Sequence, residues 1–214
     1  LIGDLTAAQA AELHAAFLGD LLDRLRPGSF ELRLAWALEP HEEIPGMPEG
    51  PLGGVRQRGA DLGERLYVAL AEAAEEGATV AAVGSDHPTL PLELVHRAFE
   101  AVAAGADIAL GPAEDGGYYL IAVRPGALSR RLFDGIAWST EQVLAQTLER
   151  CRELGLEVAM LPMAADVDTP DDLRRLATRL AEGPQGSCPR TRQLLTAWQL
   201  LPSVQGVGAR AGGG

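Results

Sequence analysis

The stretch Thr79-Val80-Ala81-Ala82-Val83-Gly84-Ser85-Asp86-His87-Pro88 constrains the fold more than any other part of the chain. It opens as a run of small and β-branched residues. It then breaks into Gly-Ser-Asp, and Pro88 has no N–H to give a ladder. A run apolar on both faces suits a buried strand of a parallel sheet with helices above and below. In open α/β sheets, ligands bind beyond the carboxyl ends of the strands. Asp86 stands at such an end, and Gly84 allows close backbone approach. The alternative is that Asp86 only caps the next helix, with Pro88 and Pro91 near its start.

The flanking sequence alternates helix and strand patterns. Thr6 and Gln9 form a capping-box pattern. Leu13, Phe17, Leu21 and Leu25 follow at spacing four until Pro27-Gly28. Phe30 to Leu38 reads as a strand and His41 to Gly54, rich in Pro and Gly, as a long loop. A helix to about Glu76 carries the stripe Leu62, Leu66, Ala69, Leu70 and Ala73, and Gly77 stops it. Beyond the Thr79 strand come a helix over Leu92–Ala104, a strand over Asp107–Leu110, a loop over Gly111–Gly117 and a strand over Tyr118–Val123. Pro125 to Phe133 reads as helical. Ser139 with Gln142 predicts a second capping box, opening a helix to about Leu154. A strand over Val158–Met163 leads to a helix with Thr169 as N-cap and Pro170 at its first position. A last helix covers Thr191–Leu200. This alternation defines an α/β fold.

The expected organisation is one transferase-sized domain over residues 1–182, a helical appendage over 183–202 and a flexible Gly-rich tail over 203–214. The formal net charge is -12 and no long basic run exists. That argues against a nucleic-acid backbone or an anionic membrane as main partner. A nucleotide stays open, because a bound divalent cation reverses the local sign. Two cysteines, Cys151 and Cys188, are too few for a disulfide framework, so a reducing, cytoplasmic compartment is expected. No apolar run reaches membrane-spanning length. A homodimer is compatible with the sequence but not required by it.

Three acidic sites fall at predicted strand ends: Asp86, Asp115 and the Asp166/Asp168 pair. Carboxylates distant in sequence but gathered at one sheet edge make an oxygen-rich site suited to Mg²⁺ or Mn²⁺. Asp171 and Asp172 read instead as first-turn acids, offsetting the helix dipole by ~0.3–1 kcal/mol each. Arg58 and Arg65 either meet a diphosphate or are solvated. Trp138 and Tyr118 are candidates for stacking on a base or sugar, whereas Tyr119 and Trp36 read as core. His87 reads as a turn residue, and Cys188 has no visible base partner.

Gly84-Ser85-Asp86-His87-Pro88, Gly111-Pro112-Ala113-Glu114-Asp115-Gly116-Gly117-Tyr118, Trp138-Ser139-Thr140 and Asp166-Val167-Asp168-Thr169 occur in this order. With Gln57 and Asp61-Leu62-Gly63-Glu64-Arg65, they resemble the GT-A-fold transferases known as arsenosugar-biosynthesis glycosyltransferases, or transferase 1 of the radical-SAM and selenium-domain set. That family is similar to molybdenum-cofactor and phospholactate nucleotidyltransferases. The resemblance implies a GT-A-like three-layer sandwich with a mainly parallel mixed sheet. It implies a divalent Mg or Mn cation on Asp86 and Asp168. Asp115 becomes the catalytic base, with Gly116 and Gly117 on the acceptor side. Gln57, Asp61, Arg65, Gly84, Ser85 and Trp138 become substrate-binding. Such proteins open with a strand and a Gly-rich loop carrying a Lys-Thr-Arg-Leu-like run. This sequence begins at Leu1-Ile2-Gly3, about where that run would end, so the first strand is expected to be missing. Three activities follow. The first is a glycosyltransferase using a nucleotide sugar and a small-molecule acceptor. The second is a nucleotidyltransferase acting on a nucleoside triphosphate and a phosphorylated small molecule. The third is a non-catalytic nucleotide-binding protein.

Overall fold

A computed structural model describes residues 5–39, 41–43, 53–74 and 77–202. The expected end of a helix at Glu76, most of the long Pro/Gly loop and the tail over 203–214 lie outside them. The elements run α1 (Ala7–Leu25), β1 (Arg33–Trp36), β2 (Gly53–Arg56), α2 (Leu62–Ala73), β3 (Val80–Val83), α3 (Leu92–Ala103), β4 (Ile108–Pro112), β5 (Tyr118–Val123), α4 (Val143–Glu153), β6 (Val158–Met160), α5 (Pro170–Glu182) and α6 (Pro189–Ala197). They fall into two compact units. The larger comprises Arg24–Gly84 and Leu90–Asp166, and the smaller Leu1–Asp23, Ser85–Thr89 and Val167–Gly214.

The larger unit is built on a four-stranded sheet in the order β3-β5-β4-β6. β5 is antiparallel to both β3 and β4, and β4 is parallel to β6. Three strands therefore point one way and β5 runs against them, which is the mixed, mainly parallel sheet expected. The position of the Thr79 strand differs from expectation. Among the described residues β3 pairs with β5 alone, and only Val80 of its four residues is buried. The strand buried along its whole length is β4. Two alanines inside β3 offer too little side chain to distinguish an edge from a centre by composition.

Other differences have similarly local causes. β2 pairs in parallel with β1 where a loop was expected, because Gly53-Gly54 carries no strand signal. Pro125 to Phe133 forms two single 3₁₀ turns, Pro125–Ala127 and Arg130–Leu132, rather than one helix. Ser139 lies in the left-handed region at φ 62° and caps nothing; Thr140 Oγ1 accepts from Gln142 N at 3.3 Å instead. Leu62 is 47% exposed although it stands on the predicted stripe.

Behind the sheet, Leu70, Ile108, Leu110, Ile121, Val123, Leu132 and Cys151 form one apolar core. Burial pushes the Cys151 thiol up to about 11. Since the thiolate is the nucleophile, Cys151 in the native protein is expected to resist a thiol-specific reagent at pH 8. Unfolding in denaturant should restore its labelling, and fast labelling of the native thiol would contradict this packing. At the entry to β4, Asp107 accepts from Arg124 Nε at 3.0 Å and from Glu157 N at 2.9 Å. The Arg124 hydrogen bond, then that from Glu157, hold its carboxyl below the ordinary value. A lowered folded-state value contributes stability above the unfolded value of about 3.9 and loses it as pH falls through the folded one. Asp107→Asn is therefore expected to cost about 1 kcal/mol at pH 7. Its denaturation midpoint should also fall less than that of the parent below pH 4.

In the smaller unit, Leu5, Leu13, Phe17, Leu173, Leu176 and Leu195 share a core. The first capping box is present, with Gln9 N donating to Thr6 Oγ1 at 3.2 Å and Thr6 N to Gln9 Oε1 at 3.0 Å. The box on α5 is complete too: Thr169 caps Asp172 N, and Asp172 accepts back from Thr169 N at 2.8 Å. Asp172 is thus a helix-start acid, as its position predicted. The start of α6 is capped from elsewhere. Buried Asp20 accepts from Arg190 N at 3.1 Å and Thr191 N at 2.8 Å, taking the place of a local N-cap. Among the described residues no helix is long and apolar enough to cross a membrane.

Candidate active site

Two acids of the larger unit converge beyond the carboxyl ends of neighbouring parallel strands. The β4–β6 ladder pairs Leu110 with Met160, and a further parallel bridge joins Ala113 to Ala164. Ala164 N donates to Pro112 O at 3.0 Å. Asp115 and Asp166 each stand two residues past that bridge, and their carboxylates approach within 4.8 Å. Asp166 is buried, 8% exposed, while Asp115 is open to solvent. The donor set is hard oxygen alone. Mg²⁺ ligands sit at about 2.0–2.1 Å from the ion, so two oxygens share one only within about 4.2 Å, a small adjustment for the exposed Asp115 side chain. Asp115 and Asp166 therefore make a hard-oxygen pair of the kind that suits a small divalent cation.

The turn that carries Asp115 is held on both sides. Asp115 accepts from Gly117 N at 2.8 Å, and Ala113 N donates to Gly117 O at 3.1 Å. Gly116 adopts φ 88°, and its carbonyl accepts from Leu144 N at 2.9 Å. A Cβ at 116 would meet the Glu141 backbone, with its Cα at 2.7 Å. Gly116 is thus required by both conformation and space. The register of the two strands was the signal for Asp166.

The remaining expected residues divide between the units. In the larger unit, Gln57 Nε2 donates to Ala35 O at 2.9 Å, binding it to β1. Asp61 is the N-cap of α2, accepting from Glu64 N at 2.8 Å. Arg65 Nε donates to Gly59 O at 3.3 Å. Gly84 N donates to Tyr119 O at 2.9 Å and so extends the β3–β5 ladder. Trp138 stacks on Phe133 at 6.4 Å and 25° and meets Tyr118 edge-on at 6.4 Å. In the smaller unit, Ser85 Oγ lies 2.9 Å from His14 Nε2, a pairing across 71 residues that no local pattern signals. Asp86 is 39% exposed and 3.8 Å from buried His87 Nε2. Asp168 is exposed, and its backbone N donates to Asp172 Oδ2 at 3.3 Å.

The sheet order, its single reversed strand and acids at the carboxyl ends define a mixed α/β protein of the GT-A-like fold. The chain belongs to the family described as an uncharacterized protein conserved in bacteria (DUF2064), whose profile matches residues 28–140. A solved structure from Desulfovibrio desulfuricans G20, provisionally assigned as a nucleotide-diphospho-sugar transferase, is 34% identical with a TM-score of 0.78. The match covers 91% of this chain and 85% of that one. A cytidylyltransferase from Leptospira borgpetersenii superposes with a TM-score of 0.54 at 12% identity, over 90% of this chain and 87% of the other; it bears on the fold alone. The 2-phospho-L-lactate guanylyltransferase of Methanopyrus kandleri is 38% identical over 94 residues. That alignment spans 42% of this chain and 46% of the guanylyltransferase, less than half of either.

Proposed function

We propose that this protein transfers a group from a nucleotide-activated donor to a small-molecule acceptor with the help of Mg²⁺ or Mn²⁺. The observation that carries the reading is the pair Asp115 and Asp166, brought together past the ends of β4 and β6. A bound cation there supplies Lewis-acid stabilisation of phosphate oxygens. The chain's own part is to hold two carboxylates in fixed register, so that little reorganisation is needed when charge develops. Asp115, the exposed member, is also placed to accept a proton from an acceptor hydroxyl. Asp86 and Asp168, both in the smaller unit, are the metal ligands implied by the family resemblance. Their contribution is read separately from Asp86→Ala and Asp168→Ala.

The nucleotide-sugar assignment of the Desulfovibrio relative favours glycosyl transfer, of which an arsenosugar-type product is the most specific form. The guanylyltransferase likeness supports the second reading, nucleotidyl transfer. The two differ in the product released. A panel of nucleotide sugars and nucleoside triphosphates, assayed with Mn²⁺ and candidate acceptors, separates them. Nucleoside diphosphate marks glycosyl transfer and pyrophosphate marks nucleotidyl transfer. Metal-independent nucleotide binding without turnover of any donor would leave the non-catalytic reading.

A further inference from the structure

A hollow of ≈ 260 Å³ opens in the larger unit between the start of α2 and the segment 130–138. Its aromatic walls are Tyr67, Phe133 and Trp138, and its polar groups are Asp61, Glu64, Asp134 and Arg130. Gly63 is what admits the indole: a Cβ there would collide with Trp138. The hollow adjoins the Asp115 turn through Trp138, which meets Tyr118, the residue after Gly117, edge-on.

The charge of the lining decides the ligand class. Three carboxylates stand against a single guanidinium, a net charge of -2. That guanidinium is already engaged. Arg130 pairs with Glu64 at 2.6 Å and lies over the Tyr67 ring at 5.0 Å. The Glu64 hydrogen bond raises its pKa further, so it stays a cation bound to the wall. A phosphate or carboxylate ligand would meet net repulsion and find no unpaired positive partner. An organic cation would compete with Arg130 for the Tyr67 face. Ionised carboxylates only accept hydrogen bonds, so the ligand must donate. Asp61 spends one oxygen on Glu64 N and keeps the other; Asp134 is exposed. The hollow is also below the ~300–1,000 Å³ of drug-sized sites, which limits the occupant to a single small ring.

We propose that the hollow binds a small, uncharged, polyhydroxylated ring of the monosaccharide or cyclitol class as the acceptor of the transfer reaction. The apolar C–H groups of the ring lie against Trp138, and its hydroxyls donate to Asp61 and Asp134. The acceptor role rests on the function proposed above; the binding itself does not.

The test is saturation-transfer NMR on the wild-type chain, without nucleotide or metal. The panel holds glucose, galactose, mannose, ribose and myo-inositol, the corresponding monophosphates, and adenosine and guanosine. A second readout is Trp138 emission in the Trp36→Phe/Trp198→Phe variant. At least one uncharged ring is expected to bind saturably, and its monophosphate at least tenfold more weakly. Asp134→Asn should narrow that preference severalfold while circular dichroism stays unchanged. The proposal is overturned if no uncharged ring binds, if a phosphate ester or nucleoside binds more tightly, or if Asp134→Asn leaves the preference intact. Because no donor is present, polyol binding without later turnover would sink the transfer reading and leave the hollow's ligand class standing.

Discussion

Asp166→Ala is expected to lower donor turnover by about 10²–10³-fold, the scale of losing several kcal/mol of charge stabilisation. The reason is geometric. Asp166 is the buried member of the pair, and its approach to Asp115 is set by the β4–β6 register rather than by a flexible side chain. Asp166→Asn keeps the volume and removes the charge, so it separates chemistry from packing. If the pair holds a divalent ion, both variants lose Mn²⁺-dependent thermal stabilisation as well as turnover, since a ligand stabilises only the state that binds it. Asp115→Asn should behave alike. An Asp166→Asn protein that keeps full activity and its Mn²⁺ shift would remove the pair from the reaction.

The second large effect is on the backbone. Gly116→Ala is expected to destabilise the protein by about 2–5 kcal/mol, read as a lower urea midpoint with unchanged m-value. A left-handed conformation costs a residue with a Cβ about 1–2 kcal/mol. The methyl would also press on the Glu141 main chain, which cannot rotate away as a side chain could. Overpacking of that kind adds about 1–3 kcal/mol. Gly117→Ala is the control. Its φ is not positive, and the nearest atom to a new methyl is an Asp115 carboxylate oxygen at 3.1 Å. A much smaller stability loss is expected there, with the effect falling on activity instead.

Helix starts were legible because their signals are local. Thr6/Gln9 and Thr169/Asp172 close their boxes within four residues, and Pro170 sits where its missing N–H costs nothing. Ser139 carried the same pattern and failed. The turn ahead of α4 is shaped by Gly116 O receiving Leu144 N, a contact no short window contains. Strand neighbours were not legible. The Thr79 run and β4 look alike as apolar stretches, and only the pairing with β5 and β6 distinguishes them. The site followed the same rule. Asp115 stood out beside Gly116-Gly117 in a turn. The partnership of Asp166 with Asp115 became visible only once the register past Ala113 and Ala164 was fixed. The capping role of Asp61 also lay open to sequence, three residues before Glu64, but its place in a family-like motif favoured a ligand-binding reading.

The reversed course of β5 bears on how such a chain can change over evolutionary time. Because β5 returns directly beside β4, only residues 113–117 separate the two strands, and that reversal is tied at 113, 115 and 117. An inserted residue there would push Asp115 off its partner. The path from Arg130 to Gln142 is bound by no sheet ladder, yet it supplies Trp138 and Asp134. On the proposed acceptor role of the hollow, descendants of this fold can exchange the molecule they accept by rewriting that segment, while the acidic turn stays the same length.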